Sequence, residues 1–319
     1  IGINGVTDVT GALLVAPNAD VTITNGTISA TNAGVISAAT AGKVTATITP
    51  GEAADIATDL ASKAHKDDAL NITVNGDTAS VTHLKAIDAQ TALKVKVDAA
   101  TVTAANYAEF EEIYVTNKNN FSNLGDENIT VTAATINSAQ ADIVAKATSK
   151  VVTANITGET AASVVTNLKN ANAKDAFTIT VLNDTNGTSA KDLLTLAGKT
   201  SIKVVAGGIT SDIYGTVAEV NKLLVANVTL PTNRIFELTG TVKAADANFI
   251  ILNSGTTGVV KATTIAADTA AKLDEALANA RATDVLTLKV NGATAAATDL
   301  IALNGKTAGK ITVDAKEIT

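Results

Sequence analysis

The sequence predicts a β/α solenoid, in which strands of a parallel sheet alternate with short helices. Three observations predict this fold. A segment recurs after about 108 residues, each period contains four shorter strand-and-helix patterns, and the hydrophobic residues are small, with 46% hydrophobic but only 3% aromatic residues. A parallel β-helix with helical corners is the alternative fold.

The long repeat is visible in three copies. VTATITPGEAADIATDL at Val44 recurs as VTANITGETAASVVTNL at Val152 and as VKATTIAADTAAKLDEAL at Val260. Each copy joins an alternating, strand-like pattern to an Ala-rich, helix-like pattern, and such self-similarity is typical of stacked repeats.

Each long period, called a block, divides into four strand-and-helix units, called rungs. First rungs begin at Val44, Val151 and Val259, second rungs at Leu70, Phe177 and Leu286, third rungs at Leu93, Ile202 and Lys310, and fourth rungs at Asn128 and Ile235. The predicted organisation is one continuous solenoid with a partial block at 1–43, complete blocks at 44–150 and 151–258, and a partial block at 259–319. Neither end resembles a capping repeat, so we expect a longer polypeptide or a filament.

The strands are predicted to have one buried face and one exposed face. In LNITV, Leu70, Ile72 and Val74 share one face, whereas Asn71 and Thr73 share the other. β-branched Thr suits an exposed strand, and interspersed Lys opposes edge-to-edge aggregation. The predicted exposed sheet face consists of Thr45, Thr47, Thr73, Lys94, Lys96, Thr130, Thr132, Thr178, Thr180, Lys203, Thr287 and Lys289.

The helical segments each carry a narrow apolar ridge, as expected of a helix that lies on a sheet. Steps of roughly 23 to 35 residues between strands permit the parallel crossover, which favours a right-handed, leucine-rich-repeat-like coil. The predicted ridges are Ile56 with Leu60, Leu84 with Ile87, Tyr107 with Phe110 and Tyr114, Ile143 with Val144, Val165 with Leu168, Leu193 with Leu196, Val217 with Val220 and Leu224, and Phe249 with Leu252.

Composition and motifs argue against several classes of function. The net charge of −7 with scattered lysines argues against nucleic acid as a partner, and no apolar run is long enough for membrane insertion. The chain lacks cysteine, and it contains no nucleophile motif or phosphate loop. His65 and His83 do not recur at equivalent repeat positions, so both are interpreted as surface residues. We therefore expect no enzyme activity and no catalytic residues.

The turn after each second-rung strand is rich in Asn, Asp and Gly. The copies are Asn75-Gly76-Asp77, Asn183-Asp184-Thr185-Asn186-Gly187 and Asn291-Gly292. These residue types favour a tight turn with positive φ. Asp77 and Asp184 are the calcium candidates, but the third copy lacks an acid, and calcium needs six to eight oxygen ligands. No other cofactor is expected. The acidic stretch Gly125-Asp126-Glu127, and Glu109, Glu111 and Glu112, are interpreted as solvated.

Several segments resemble the tandem repeats of giant secreted or cell-surface proteins of cyanobacteria and other aquatic bacteria. They are LKAIDAQTALKVKVDAATVT, DLLTLAGKTSIKVVAGGIT, DLIALNGKTAGKITVDAKEIT, YGTVAEVNKLL and NLGDENITVTA. The resemblance implies a spacer, surface coat or adhesin stalk outside the cell. We expect a structural protein that builds a surface layer, stalk or filament, with its own copies as partners. The alternative is an adhesin or phage fibre that binds host glycans through the Thr/Lys sheet face.

Overall fold

A computed structural model describes residues 16–24, 26–61, 63–132, 135–255 and 258–319. Over these residues the fold is α/β with several parallel sheets and short helices, which confirms the predicted combination of parallel strands and helices and is compatible with a solenoid. The chain divides into two compact units: unit 1 comprises residues 1–155 and 174–176, and unit 2 comprises residues 156–173 and 177–319. Residues 1–15 of the predicted partial block at 1–43 lie outside the described residues.

Unit 1 alternates short strands with short helices. The strands are β1 (Val21–Thr22), β2 (Val44–Thr47), β3 (Ala69–Asn71), β4 (Thr73–Val74), β5 (Thr78–Ser80), β6 (Val95–Val97), β7 (Thr101–Ala104), β8 (Phe121–Ser122) and β9 (Asn128–Val131), and β10 (Val152–Glu159) begins in this unit. The helices are α1 (Ala30–Ala38), α2 (Ala53–Leu60), α3 (Val81–Asp88), α4 (Tyr107–Glu111) and α5 (Ser138–Ala147); a π-helical turn (Glu112–Thr116) and a 3₁₀ turn (Lys118–Asn120) follow α4.

Unit 2 repeats this alternation. After the first residue of β11 (Ala176–Val181), its strands are β12 (Thr188–Ser189), β13 (Val204–Val205), β14 (Ile213–Gly215), β15 (Val228–Thr229), β16 (Ile235–Leu238), β17 (Val259–Ala262), β18 (Val285–Leu286), β19 (Leu288–Val290), β20 (Thr294–Ala295), β21 (Ile311–Val313) and β22 (Glu317–Ile318). The helices are α6 (Ala161–Asn167), α7 (Ala190–Ala197), α8 (Val217–Leu224), α9 (Ala244–Asn253), α10 (Ala270–Ala276) and α11 (Ala297–Asn304).

The second and third rungs carry at least two strands, before and after a bend, whereas the first and fourth rungs carry one. In unit 1, β6 pairs in parallel with β4 and β8, whereas β7 pairs in parallel with β5 and β9. The sequence analysis predicts only one strand per rung. The second strands are too short to give a recognisable alternating pattern. For example, β5 consists only of Thr-Ala-Ser.

The two strand positions are exchanged once per block. In unit 1, β9 pairs on one side with β7, which is the second strand of the third rung. On the other side β9 pairs with β10, the first strand of the next block. In unit 2, β16 pairs with β14 and β17 in the same way. A sheet thus passes from the second to the first strand position every four rungs, which accounts for a sequence repeat of four rungs.

Most helices begin at a Ser, Thr or Asn whose side chain accepts a backbone N–H three residues later. This is the usual N-cap arrangement, and it explains where the short, Ala-rich segments start. In α5 and α8 the third residue also reaches back, which completes a capping box. The N-caps with this hydrogen bond are Ser29, Ser80, Asn106, Asn137, Thr160, Ser189 and Thr216.

Burial agrees with the predicted strand faces. Leu70, Ile72 and Val74 are fully buried, Asn71 is exposed and Thr73 is half-buried. The ridges of the first three rungs are also largely confirmed, since these members are buried: Ile56, Leu60, Leu84, Ile87, Phe110, Tyr114, Leu168, Leu193, Leu196 and Val220.

The predicted ridges of the fourth-rung helices are wrong at three positions. Ile143, Phe249 and Leu252 are 44%, 52% and 64% exposed. Small residues such as Ala141 and Ala247 take the contact with the core instead, next to the buried Val144 of α5 and Ile250 of α9. Close approach at alanine turns the larger side chains outward.

Candidate functional site

The residues predicted for the exposed sheet face are all exposed or half-buried, but they do not form one row. In unit 1, Thr45 and Thr47 lie in the β1–β2–β3 sheet, and Thr73 is paired with Lys96 in the β4–β6–β8 sheet. Thr130 lies in a third sheet with β7 and β10. The exchange of strand positions separates residues that a single-strand rung would align.

A row of hydroxyl side chains emerges instead in this third sheet. Ser80 is paired with Thr103, Thr103 with Thr130, and Thr130 with Thr153. Their neighbours along the strands, such as Val102 and Ile129, are fully buried, so the hydroxyl groups point away from the core. Of these four residues only Thr130 was predicted. Ser80 and Thr103 lie on second strands that were not predicted, and Thr153 lies on a predicted first-rung strand but was not among the residues singled out.

The remaining predicted face residues are distributed as follows. Thr132 follows β9 and its backbone N–H donates to the Ala104 carbonyl (2.9 Å), while Lys94 and Lys203 precede β6 and β13. In unit 2, Thr178 and Thr180 alternate with buried residues along β11, and Thr287 lies between β18 and β19.

Two of the predicted lysines are held by aspartates on the surface. The Lys96 ammonium lies 2.6 Å from Asp98 Oδ2, and Lys289 lies 2.8 Å from Asp314 Oδ2. The hydrogen bond from Lys96 lowers the pKa of Asp98, and the hydrogen bond to Asp314 raises the pKa of Lys289. Each aspartate therefore partly neutralises the charge of its lysine.

The Asn/Asp/Gly turns have the geometry expected of turns. Gly76, Gly187 and Gly292 have φ values of 100°, 92° and 125°, which favour glycine. Asp184 Oδ1 accepts the Asn186 N–H (3.0 Å), so this carboxylate serves the turn itself. Asp77 is exposed. Calcium at Asp77 or Asp184 stays a prediction.

His65, Asp67 and Asp68 place ligand-type atoms within 4.8 Å of one another. Asp68, however, is fully buried, and its carboxylate accepts hydrogen bonds from Ser37 Oγ (2.6 Å), Val44 N–H (2.7 Å) and His65 N–H (2.8 Å). A metal ion would compete with these three donors. His83 is half-buried on α3 and does not belong to this cluster.

The same buried acid recurs in all three blocks, and we call Asp68, Asp175 and Asp284 the anchor carboxylates. Each is at most 1% exposed. Asp175 Oδ1 accepts the Val152 N–H and Asp284 Oδ1 accepts the Val260 N–H, both at 2.9 Å. Because the acid recurs where His65 does not, its shared role is to hold the first-rung strand. Sequence reasoning missed it, although recurrence of an acid at one repeat position was a usable signal.

A threonine closes the junction between second and third rungs in a similar manner. Thr91 Oγ1 accepts the Leu70 N–H (3.1 Å) and donates to the Leu70 carbonyl (2.8 Å). Thr307 makes the same pair of bonds with Leu286, at 2.7 and 2.9 Å, and Thr200 Oγ1 donates to the Phe177 carbonyl (2.8 Å). These buried hydroxyls satisfy backbone groups of the preceding rung.

The interpretation of residues 125–127 as solvated is wrong for Glu127, whereas Asp126 is exposed. Glu127 is only 2% exposed, and its Oε2 accepts the Gly125 and Asp126 N–H groups at 2.8 and 2.9 Å. The Tyr114 hydroxyl donates to Glu127 Oε1. Burial, together with the charge of Glu127, raises the pKa of Tyr114 well above its usual range. Each oxygen of this acid therefore has a specific partner.

Comparison of the chain with protein-family profiles, with curated proteins and with solved structures gives no match. Within the described part of the chain, no helix is long and apolar enough to cross a membrane.

Proposed function

We propose that this chain is a β/α solenoid with a structural function, forming part of a surface layer, stalk or filament outside the cell. The observation that carries the proposal is the use of buried polar groups. The anchor carboxylates and the junction threonines bind the backbone of a neighbouring rung, and they recur from block to block. Side chains are therefore committed to stacking repeats.

The sheet pairing supports the same function. In unit 2, Ile213, Phe236 and Val260 are partners on consecutive strands, and this pairing continues through the boundary between two blocks. Blocks can be added without changing the pattern of hydrogen bonds. A protein built this way can set a length, as spacers and stalks require. A right-handed, leucine-rich-repeat-like coil is the form proposed, and a parallel β-helix is its alternative.

The extracellular location rests on the resemblance to repeats of giant secreted and surface proteins. In the filament version, the parallel pairing that joins blocks within the chain also joins one copy to the next. Cross-linking and electron microscopy of purified protein test this version. Strictly monomeric particles would exclude the filament and leave the stalk or surface coat.

Insertion of one extra block tests the length-setting function. A second copy of residues 44–151 should lengthen the particle by about 19 Å, because adjacent strands are about 4.8 Å apart and a block adds four rungs. Small-angle X-ray scattering measures the maximum dimension. A globular fold would instead gain volume with little gain in length, and that result would contradict the proposal.

Fragments test the repeat energetics. Residues 44–92, which contain two rungs, should be unfolded by circular dichroism, whereas residues 44–258, which contain eight, should unfold cooperatively. Each rung lacks a core of its own and depends on its neighbours. A stable two-rung fragment would contradict a solenoid.

Glycan binding through a sheet face is a second candidate function, favoured by the hydroxyl row Ser80–Thr103–Thr130–Thr153. A glycan array compares the protein with a Thr103→Val/Thr130→Val variant and with a Thr178→Ala/Thr180→Ala variant, which changes two residues of the predicted sheet face. Thr82→Val, at an exposed position on α3, is the control. Binding that both double variants retain would exclude these faces.

A further inference from the structure

Two grooves occupy equivalent places in the two units, where the third rung meets the fourth. The groove of unit 1 lies between the α4 region and α5, has a volume of about 180 Å³ and is lined by Tyr114 and Ile143. The groove of unit 2 lies between α8 and α9, has a volume of about 390 Å³ and is lined by Leu224 and Phe249. Leu224 corresponds to Tyr114 and Phe249 to Ile143 by their places in the helices.

The difference in volume follows from residues that fill the first groove. In unit 1, Phe110 and Tyr114 stack with ring centroids 4.9 Å apart, and Tyr114 donates to the buried Glu127. The corresponding residues in unit 2 are Val220 and Leu224, which are smaller and have no polar group. The stacked aromatic pair that fills the first groove is therefore missing from the second groove.

The charge at this junction is opposite in the two units. Arg234 lies two residues before the buried Phe236 in unit 2, and Glu127 lies two residues before the buried Ile129 in unit 1. Arg234 Nη1 donates to the Pro231 carbonyl (3.0 Å) and Nη2 to the Asn253 carbonyl (3.2 Å). These are neutral partners, so the cation is not compensated by them. Burial lowers the pKa of Arg234, as expected for a cation removed from water.

A second cation, Lys203, lines the same groove. Neither Arg234 nor Lys203 forms an ion pair with a carboxylate of any described residue. Two polar atoms of the lining, Arg234 Nε and Asn221 Oδ1, are buried without a hydrogen-bond partner among the described residues. The groove thus has an excess of positive charge and unsatisfied hydrogen-bonding capacity.

Its apolar side chains are more exposed than is usual. Val225 is 86% exposed and Phe249 is 52% exposed, and the neighbouring Leu252 is 64% exposed. Exposed apolar residues that cluster beside polar groups mark binding surfaces more often than single ones do. A volume of about 390 Å³ lies within the range of small-molecule sites.

We propose that the groove of unit 2 binds an organic carboxylate that bears an apolar tail. Arg234 and Lys203 hold the carboxylate, and Leu224, Val225 and Phe249 contact the tail. The carboxylate complements two cations that have no carboxylate partner among the described residues, although the Arg234 guanidinium also lies 5.8 Å from the centroid of the Phe236 ring. The tail covers side chains that otherwise remain in water. An acyl chain and the apolar C-terminus of a peptide share this chemistry, and titration distinguishes these two sources.

Calorimetric titration of the full chain tests the charge requirement. Octanoate should bind at least about tenfold more tightly than octanamide, because a charge-assisted bond to the guanidinium is stronger than a neutral one. N-acetylleucine is titrated in parallel: tighter binding of octanoate assigns an acyl chain, and tighter binding of N-acetylleucine assigns a peptide terminus. Equal affinities for octanoate and octanamide, or no binding of either carboxylate, would overturn the proposal.

Variants locate the site. Arg234→Met keeps the length of the side chain and should weaken carboxylate binding by about tenfold or more, since it removes the charge-assisted bonds. Lys146→Met, in the groove of unit 1, is the matched control and should bind as the unmodified chain does. Unchanged affinity in Arg234→Met would overturn the assignment.

Two further variants keep this test decisive if Arg234→Met fails to fold. Lys203→Met changes an exposed residue and should weaken binding of octanoate but not of octanamide. Leu224→Tyr with Arg234→Glu rebuilds the Tyr114–Glu127 pair of unit 1, and it should close the groove and abolish binding while the urea midpoint is preserved. Retained binding in both would contradict the site.

Discussion

The first-rung junction is built alike in every block, whereas the third-rung junction differs between the two complete blocks. Asp68, Asp175 and Asp284 all accept the N–H of a first-rung strand. At the third-rung junction, unit 1 has a buried Tyr114–Glu127 pair, and the equivalent places in unit 2 hold Leu224 and Arg234.

The difference reflects what each junction must satisfy. An anchor carboxylate pairs with backbone N–H groups, which are present whatever the side chains are, so the acid is required in each copy. At the third-rung junction, a side chain of one rung contacts a side chain of the next. Such a pair can be exchanged as long as the volume and the polar groups are accommodated, and this freedom leaves room for a groove.

Removal of an anchor carboxylate should have the largest effect. Asp68→Ala leaves Ser37 Oγ, the buried Val44 N–H and the part-buried His65 N–H without their acceptor, so the free energy of unfolding should fall by at least about 3 kcal/mol. Urea denaturation monitored by circular dichroism measures it. Asp67→Ala, at the exposed neighbouring acid, is the control and should change little. Equal effects of both variants would show that Asp68 does not anchor the strand.

Loss of the Tyr114 hydroxyl should have the next largest effect. Tyr114→Phe keeps the stack on Phe110 but leaves Glu127 Oε1 buried without this donor, so stability should fall by about 2 kcal/mol. Urea denaturation is again the measurement. Tyr107→Phe, at a half-buried ring 5.7 Å from Phe110, is the control. No loss in Tyr114→Phe would mean that the junction rests on packing alone.

Much of the fold could be predicted from the sequence because it depends on periodic patterns of residues. The repeat of VTATITPGEAADIATDL predicts stacked rungs, and the alternation in LNITV predicts which residues are buried. Both signals are local or strictly periodic. The second strands could not be predicted, since two to four small residues pair only because neighbouring rungs hold them in register.

The site residues were harder to predict because their burial depends on distant parts of the chain. Asp68 follows Lys66 and Asp67 and has the local appearance of a solvated charged run. It is buried because Ser37 and Val44, 31 and 24 residues earlier, supply donors from neighbouring segments. Phe249 shows the converse. Its spacing suggests a core ridge, but the small Ala247 occupies the contact and Phe249 turns outward.

Alkaline pH should act on the third-rung junction of unit 1, because Tyr114 lies there. The pKa of Tyr114 is raised above its ordinary value of 10.0, so the folded state keeps the proton when the unfolded chain loses it. The stabilisation is complete below about pH 10 and is lost as the pH rises towards the folded-state pKa, by up to about 1.4 kcal/mol per pH unit. Denaturation curves above and below this pH measure the slope.

In that experiment Tyr114→Phe should show a shallower decline. Tyr107, whose pKa is also raised by burial, keeps part of the slope. Tyr214→Phe, at an exposed ring on β14, is the control for loss of a tyrosine hydroxyl elsewhere in the chain. Identical slopes in all three proteins would mean that Tyr114 ionises freely in the folded state.

Exposed ion pairs should contribute least. Lys289 lies on β19 and contacts Asp314, which follows the paired strand β21, so this pair joins two rungs as Asp68 does. Both side chains are more than half exposed, and solvent screens their attraction. Lys289→Met should therefore leave the urea midpoint unchanged within error at physiological salt. A shift as large as that of Asp68→Ala would mean that charge at the surface, and not acceptance of buried N–H groups, holds the rungs together.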